Sequence, residues 1–361
     1  MELSRRNFIS GCTSAAVATA GLAVRADSAV APAVRKEGFR WGIYQQLGSH
    51  MWNTAVKFPL AENGHYCGET TLIDDGSWER RMAKAAECGM NMMSIDLAEG
   101  LVYPSHPELA VQGSRSAEWM NARVRKLRDL GIEAIPCLNF STAHHFWLGA
   151  WSRRVATPEY YKTVAELLAD AYDIFEKPSI MGMGMDEENP DNTAKCVHCL
   201  RRQGDLLWHD IDFYARTISK LGARPSMSAD YVWWRREDYL KHVSKEIIQD
   251  NWYYGVNFDY LNMKRPRRTY VEAYLWLNEA GYDQMPGCGN YLEWYDKEDG
   301  LKENVLNVPR TIEFALKHID SRHLLGIRCS CWSGTSPRGD KSWFDACDQF
   351  ARAKNSVTRN S

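Results

Sequence analysis

The chain has 361 residues and a net charge of −2 at pH 7, with acidic and basic residues mixed along the sequence. This balance excludes a strongly basic protein built to bind nucleic acid or an anionic membrane surface. The 14 tryptophans and 17 tyrosines fit a groove that stacks against the apolar faces of sugar rings, so we expect a carbohydrate partner.

The amino-terminal residues predict an exported protein. Arg5 and Arg6 precede a large apolar residue and a mildly apolar stretch, rich in Ala and Gly, that runs to about Ala26. Paired arginines followed by such a stretch are typical of a twin-arginine export signal. We expect residues 1–31 to be this signal, cleaved after Ala26 or Ala31. The mature protein should then be periplasmic or secreted, with no membrane partner.

After this segment, short apolar runs typical of strands alternate with amphipathic patterns of helical period. The predicted strands are Phe39–Leu47, Asn91–Leu97, Ile132–Asn139, Ser179–Met185, Pro225–Asp230, Glu246–Trp252, Asp283–Cys288 and Leu324–Trp332. The predicted helices are Trp78–Cys88 with Ser77 as its cap, Ala117–Leu130, one opened by Thr157 and Pro158, Leu206–Leu221, Glu237–Val243, Val271–Ala280, Val308–His318 and Trp343–Ala351. This alternation indicates a parallel sheet closed into a (β/α)8 TIM barrel, a single domain over residues 38–354 with long βα loops.

The fourth predicted strand ends in three consecutive acids, Asp186, Glu187 and Glu188. In a β/α barrel the chemistry takes place at the carboxyl ends of the strands. Adjacent carboxylates repel each other, so the pKa of at least one should rise, which suits a general acid. Neighbouring side chains of an extended strand point to opposite faces, so Asp186 and Glu187 face one site only if the chain bends there. Gly184 favours such a bend.

Polar and aromatic residues also follow the other predicted strands. Carboxylates that move protons, amides that bind hydroxyl groups and indoles that stack on rings together indicate a carbohydrate site. The sequence has no Gly-rich phosphate loop and no dinucleotide fingerprint, so no cofactor is expected. Of two adjacent histidines, 144 and 145, we expect one to be functional. The residues expected to converge with the acids as substrate-binding groups are Asp96, Asn139, His144, Glu188, Asp230, Trp252, Tyr254, Trp294 and Trp332.

Three other functions use the same residues. A barrel of this kind could bind glycans without catalysis, or a hydrolase could pair Glu187 or Glu188 with a remote carboxylate such as Asp230. A metal-dependent sugar hydrolase or isomerase is the third alternative. Barrel metallohydrolases usually carry His-x-His on the first strand, which the sequence lacks here, so no metal is predicted. Such an enzyme would draw on His50, Asp96, His144 and Asp186.

Two close cysteine pairs stand out. Cys196 and Cys199 have a spacing that permits a local disulfide or half of a metal site. We expect a disulfide or free thiols there, without zinc. Cys329 and Cys331 lie inside a predicted strand and are expected to be buried thiols.

Several blocks resemble the catalytic barrel of family twenty glycoside hydrolases, the β-N-acetylhexosaminidases. The segment from Gly184 to Glu187 resembles their fourth-strand Gly-Gly-Asp-Glu motif, with Met185 in place of the second Gly and without the preceding His. The segment Gly131–Asn139 with His144 resembles their third strand and its loop. Trp252 and Trp332 match the expected pocket tryptophans. Phe39-Arg40-Trp-Gly resembles a first-strand Arg-Gly, whose Arg binds sugar hydroxyls.

The chain also resembles exported, glycosyl-hydrolase-like bacterial proteins that carry twin-arginine signals. The blocks that carry this resemblance are Ile95–Leu97, Tyr103–Glu108 and Leu138–His144. The family resemblance implies that Glu187 is the general acid/base of a glycoside hydrolase. It also implies that Asp186 orients a 2-acetamido group that attacks the anomeric carbon in place of an enzyme nucleophile.

Overall fold

The computed structural model describes residues 38–48, 71–189, 202, 204–291 and 303–358. Within them, strands and helices alternate in the predicted order. The strands are β1 Arg40–Gln46, β2 Met92–Asp96, β3 Glu133–Cys137, β4 Ile180–Gly182, β5 Arg224–Ser228, β6 Ile248–Asp250, β7 Gly287–Gly289 and β8 Gly326–Ser330. The helices are α1 Asp75–Glu87, α2 Ala117–Asp129, α3 Pro158–Ile174, α4 Asp205–Leu221, α5 Arg236–His242, α6 Arg267–Glu279, α7 Asn307–His318 and α8 Pro337–Thr358.

The strands form one eight-stranded sheet in the order β6-β5-β4-β3-β2-β1-β8-β7. Each pair of neighbours in this order is parallel. Isolated parallel bridges join Gln249 to Gln284 and Trp252 to Gly287, which brings β6 against β7. The sheet is therefore a nearly closed barrel, and the predicted (β/α)8 architecture is confirmed.

The barrel interior is apolar where the strands begin and polar where they end. Met92, Ile180 and Ile248 are the first residues of their strands. They belong to a small buried cluster that consists of Met92, Ile135, Cys137, Ile180, Ile248, Met285 and Leu325. A second, larger core packs the outer faces of the strands against the helices. Because apolar side chains fill one end, solvent and ligands have access to the barrel centre from the carboxyl ends of the strands.

Local capping explains where two of the helices begin. The Thr157 hydroxyl accepts a hydrogen bond from the Tyr160 N–H at 3.2 Å, and Pro158 is the first residue of α3, as predicted. The cap of α1 was expected at Ser77 and is instead Asp74, whose carboxylate accepts from the Ser77 N–H at 2.6 Å. Asp and Ser are nearly equal as N-caps, so the sequence alone did not separate them. None of the helices described here is long and apolar enough to cross a membrane.

Candidate active site

A polar cavity opens at the carboxyl ends of the strands, and residues from or next to all eight strands line it. Such a convergence is the usual location of an active site in a β/α barrel. The polar and aromatic lining residues are Tyr44, Ser94, Asp96, Asn139, Asp186, Ser226, Ser228, Asp250, Arg328 and Trp332.

The backbone after β4 bends sharply, as the sequence predicts. Gly184, Met185 and Glu187 have φ values of 67°, 73° and 59°. This left-handed region disfavours residues with a side chain, and such strain is concentrated at functional sites. A Cβ at position 184 would lie 2.2 Å from Asn139 Oδ1, so only glycine permits this close approach. The bend directs Asp186 and Glu187 to one neighbour, the imidazole of His144.

His144 joins these two acids. Its Nε2 lies 3.1 Å from Asp186 Oδ2 and 3.2 Å from Glu187 Oε2, and its side chain is buried. Burial alone would lower the pKa of His144. The negative charge of Asp186 and hydrogen bonds to both acids outweigh burial and raise the pKa well above its usual value. His144 is therefore a buried cation between two carboxylates.

Asp186 is held as an anion. Asn139 donates a hydrogen bond from Nδ2 to Asp186 Oδ1 at 2.6 Å. Burial favours the neutral acid, but the charge of His144 and the hydrogen bonds from His144 and Asn139 outweigh it, so the pKa of Asp186 is lowered. Near neutral pH, Asp186 thus presents a fixed negative charge to the cavity that it lines.

Glu187 is the most accessible of the three consecutive acids. Its side chain is 33% exposed, against 15% for Asp186 and 2% for Glu188. The Glu187 N–H donates a hydrogen bond to Asp230 Oδ2 at 2.8 Å, and this bond fixes the backbone of the turn. Burial, reinforced by the charge of Asp186, raises the pKa of Asp230 well above its usual value. Asp230 thus supports the backbone of Glu187 through a carboxyl group whose neutral form is favoured by burial.

Glu188 faces a different environment. Its carboxylate accepts hydrogen bonds from the N–H and the hydroxyl of Thr142, both at 2.5 Å. Arg202 NH1 lies 3.9 Å from Glu188, and Arg202 Nε donates to Asp210 at 2.6 Å, with all three side chains buried. The structure therefore does not bring Glu188 to the cavity. Glu188 instead links the acidic turn to the loop that carries Thr142 and His144.

Arg40 also lies away from the cluster. It is the first residue of β1, at the opposite end of the barrel, where it contacts Glu133 Oε2 at 3.4 Å and Ser179 Oγ at 3.3 Å. The arginine in the cavity is Arg328 of β8, which forms an ion pair with Asp250. Its guanidinium carbon lies 5.1 Å from the centre of the Tyr44 ring.

Sequence reasoning did not identify Arg328, Asp250 or Tyr44. The sequence contained one indication that Arg328 lies in the polar interior, because this residue interrupts an apolar run predicted to be a barrel strand. A charged side chain in such a strand is expected to face a polar interior or a partner, rather than the packed helices.

Two more buried carboxyl groups line the cavity with shifted pKa values. Tyr44 donates its hydroxyl proton in a hydrogen bond to Asp96. Burial raises the pKa of Asp96 to about 7, with Tyr44 acting against the shift and Asp186 adding to it. Burial likewise raises the pKa of Asp250 to about 6, despite its ion pair with Arg328. Both groups can therefore change charge near neutral pH.

A continuous aromatic wall stands beside these carboxyl groups. Trp332 Nε1 donates to the Tyr254 hydroxyl at 2.9 Å, and the Tyr44 and Trp332 ring centres are 4.9 Å apart. Tyr254 stacks on Trp252 at 5.3 Å, and Trp252 contacts Trp233 at 4.7 Å. The expected residues Trp252, Tyr254 and Trp332 thus lie together.

The other expectations fall as follows. His145 is buried next to His144, and burial, with the charges of Arg202 and His144, lowers its pKa well below the usual value. The buried, unpaired thiols of Cys329 and Cys331 are confirmed.

In the parts of the chain described here, no group of three or more His, Cys, Asp or Glu residues is arranged to hold a metal ion. Outside the described residues lie His50, Trp294, Cys196, Cys199 and the twin-arginine segment.

Solved structures with a similar fold include family 20 glycoside hydrolases. A β-N-acetylhexosaminidase from Bacteroides fragilis matches with a TM-score of 0.52 and 13% identity over 85% of this chain. An exo-β-N-acetylglucosaminidase from Vibrio harveyi, solved with N-acetylglucosamine, gives 0.54 and 13% over 89%. A catalytic module of the pneumococcal exo-β-D-N-acetylglucosaminidase gives 0.52 and 16% over 88%.

The share of each enzyme's own chain that the match covers differs between the three. The match covers 65% of the B. fragilis chain and 57% of the V. harveyi chain, but 83% of the pneumococcal chain. No protein-family model matches the sequence, and no curated protein matches it.

Proposed function

We propose that this protein is a glycoside hydrolase of the hexosaminidase type, with Glu187 as general acid/base and Asp186 as the partner of a 2-acetamido group. The observation that carries the proposal is the cluster of Asp186, His144 and Glu187. One protonated imidazole lies 3.1 Å and 3.2 Å from two adjacent carboxylates at the end of β4. The barrel likeness to family 20 enzymes supports the same reaction class.

Glu187 suits the role of proton donor because it is the most exposed of the three consecutive acids. Its side chain is one-third exposed, while its backbone is fixed by Asp230 and its carboxylate contacts His144. Protonation of the leaving oxygen by Glu187 gives a neutral alcohol, and the resulting Glu187 carboxylate takes a proton from the attacking water in the second step. The charge of His144 at 3.2 Å stabilises that carboxylate between the two steps.

Asp186 suits a different task because its pKa is lowered and it lines the cavity. A fixed anion accepts the N–H of a 2-acetamido group and turns the acetamide oxygen toward the anomeric carbon. The positive charge that develops on the ring closed by this attack lies beside the carboxylate, so Asp186 stabilises it. Asn139 prevents rotation of the carboxylate through its 2.6 Å hydrogen bond.

The remaining cavity residues suit sugar recognition. The aromatic wall of Tyr44, Trp332, Tyr254 and Trp252 offers apolar faces to the C–H groups of a pyranose ring. The oxygens and nitrogens of Asp96, Asp250 and Arg328 are available to bind ring hydroxyls along the floor.

A matched pair of substrates tests this function. We expect the purified protein to release nitrophenol from nitrophenyl N-acetyl-β-glucosaminide or the galacto epimer. The corresponding β-glucoside and β-galactoside lack the acetamide and should be turned over far more slowly. Asp186→Asn should reduce activity on the acetamido substrates. Turnover of the plain glycosides at an equal rate would contradict the acetamide role, and no turnover of any glycoside in a broad panel would contradict the reaction class.

A further inference from the structure

Two cysteines meet where the first and last helices of the described barrel pack together. Cys88 follows the last residue of α1, and Cys347 lies in the middle of α8. The neighbouring Asp348 binds the end of α1, with its Oδ1 2.7 Å from Lys84 Nζ and 3.8 Å from Cys88 Sγ. These contacts join the end of α1 to the middle of α8.

The two thiols are unpaired and share a hydrogen bond. Cys88 is half-buried at the protein surface, while Cys347 is fully buried beneath it. The hydrogen bond from Cys347, aided by the charge of Lys84, lowers the pKa of Cys88 in spite of its partial burial. Burial raises the pKa of Cys347 well above its usual value. The pair thus combines a partly accessible thiol, whose ionisation its neighbours favour, with a sheltered thiol that is its hydrogen-bond partner.

We propose that Cys88 and Cys347 are a site of oxidative modification, where a disulfide oxidant joins α1 to α8 covalently. The Cys88 thiolate attacks one sulfur of the oxidant, the oxidant's S–S bond breaks, and one thiol leaves with a proton from solvent. Cys347 then loses its proton and attacks the Cys88 sulfur of the mixed disulfide, which releases the second thiol. Two protein thiols and one disulfide thereby give one protein disulfide and two free thiols.

The bond would close almost the entire barrel into one loop. A crosslink between distant residues restricts the unfolded chain most strongly, so this disulfide would stabilise the barrel against unfolding. The proposal is independent of the enzymatic activity, because it rests on the packing of α1 against α8 and not on the cavity.

The chain contains a matched pair that should not react. Cys288 of β7 and Cys329 of β8 are partners in the strand register. Both are fully buried, and a hydrogen bond to Cys288, together with burial, raises the pKa of Cys329 well above its usual value. No thiolate of this pair is presented to solvent, so a dissolved oxidant cannot begin the exchange.

Peptide mapping of the folded full-length chain tests the proposal. The protein is incubated with oxidised glutathione, denatured in an alkylating reagent and digested with trypsin. We expect peptide 85–115 to be linked to peptide 342–352, while Cys288 and Cys329 are recovered alkylated. In Cys347→Ser, Cys88 should instead retain one glutathione, because no thiol remains to displace it. In Cys88→Ser, Cys347 should be recovered alkylated and without glutathione.

Two outcomes would overturn the proposal. One is recovery of both Cys88 and Cys347 as alkylated thiols from the oxidised wild-type protein. The other is wild-type Cys88 that retains glutathione and forms no link to Cys347, which would show that Cys347 does not reach it. The wild-type digest alone distinguishes these outcomes, so the test does not depend on the folding of a variant.

Discussion

The imidazole of His144 lies 3.1 Å from the carboxylate of Asp186, and the two groups hold each other in their charged forms. Asp186→Asn removes the negative charge that opposes the burial of His144. We expect the pKa of His144 to fall in this variant, measured by NMR titration of the imidazole resonances. Asp345→Asn, at an exposed ion pair with Lys341, is the control and should leave that pKa unchanged. An unchanged His144 pKa in Asp186→Asn would contradict the coupling.

Arg202 should be the main electrostatic support of the acidic turn. Its buried guanidinium neutralises Asp210 and approaches Glu188, both of which are buried as well. Arg202→Met leaves these acids without their cation, and breaking a buried pair in this way costs roughly 3–5 kcal/mol. We expect a loss of that size in the free energy of unfolding in urea.

Arg216→Met provides the matched comparison for Arg202. Arg216 forms an exposed pair with Asp212, 2.9 Å apart, and exposed pairs contribute about 0–1 kcal/mol. Similar unfolding free energies for the Arg202 and Arg216 variants would mean that the buried network does not stabilise the fold.

Asp96 should make the protein less stable as the pH rises. Its pKa is raised to about 7 by burial, whereas an unfolded aspartate titrates near ~4. Between these values the folded protein retains a proton that the unfolded chain has released, so stability present at low pH is lost as the pH approaches 7. Asp96→Asn keeps an acceptor for the Tyr44 hydroxyl and removes this titration.

The test of the Asp96 prediction compares melting temperatures at pH 5 and pH 8. The melting temperature should fall less between pH 5 and pH 8 in Asp96→Asn than in the wild type, because the variant lacks this titration. A tenfold difference in proton affinity between the folded and unfolded chains corresponds to about 1.4 kcal/mol. A residual decrease is expected, because the raised pKa of Asp250, about 6, has the same sign. Identical decreases in the two proteins would contradict the prediction.

The barrel could be predicted from the sequence because its signals are local and repeated. Apolar runs and amphipathic patterns alternate with little interruption, and each predicted strand and helix overlaps one that the structure contains. The carboxyl ends of parallel strands meet at one edge of the barrel. For this reason the sequence could also predict that Asp96, Asn139, His144 and Asp186 lie close together, next to the cavity.

The errors concern which way a side chain points and which end of a strand it occupies. Arg40 matched a family motif but begins β1, so it lies at the opposite end of the barrel. Glu188 lies two residues after the cavity residue Asp186, yet the left-handed turn at Glu187 directs it to Thr142 and Arg202. Neither outcome follows from periodicity, because both depend on backbone angles and on partners far along the chain.

Export is a separate prediction that rests on Arg5 and Arg6. We propose that the twin-arginine pathway carries the folded protein out of the cytoplasm, since the translocase reads this pair as an address. Changing both to Lys keeps the charge and should retain the protein in the cytoplasmic fraction, measured by immunoblot of cell fractions. Normal export of the double variant would contradict a twin-arginine signal.

The role of Glu187 is tested most directly by Glu187→Gln, which keeps the shape of the side chain and removes the transferable proton. General acid–base catalysis is typically worth ~10²–10⁴ in rate. We predict a fall in kcat of that order on an N-acetylhexosamine disaccharide, and a smaller fall on a dinitrophenyl glycoside, whose leaving group needs no proton. The circular dichroism spectrum should match that of the wild type. Near-wild-type turnover of the disaccharide by Glu187→Gln would contradict the assignment of Glu187 as the general acid.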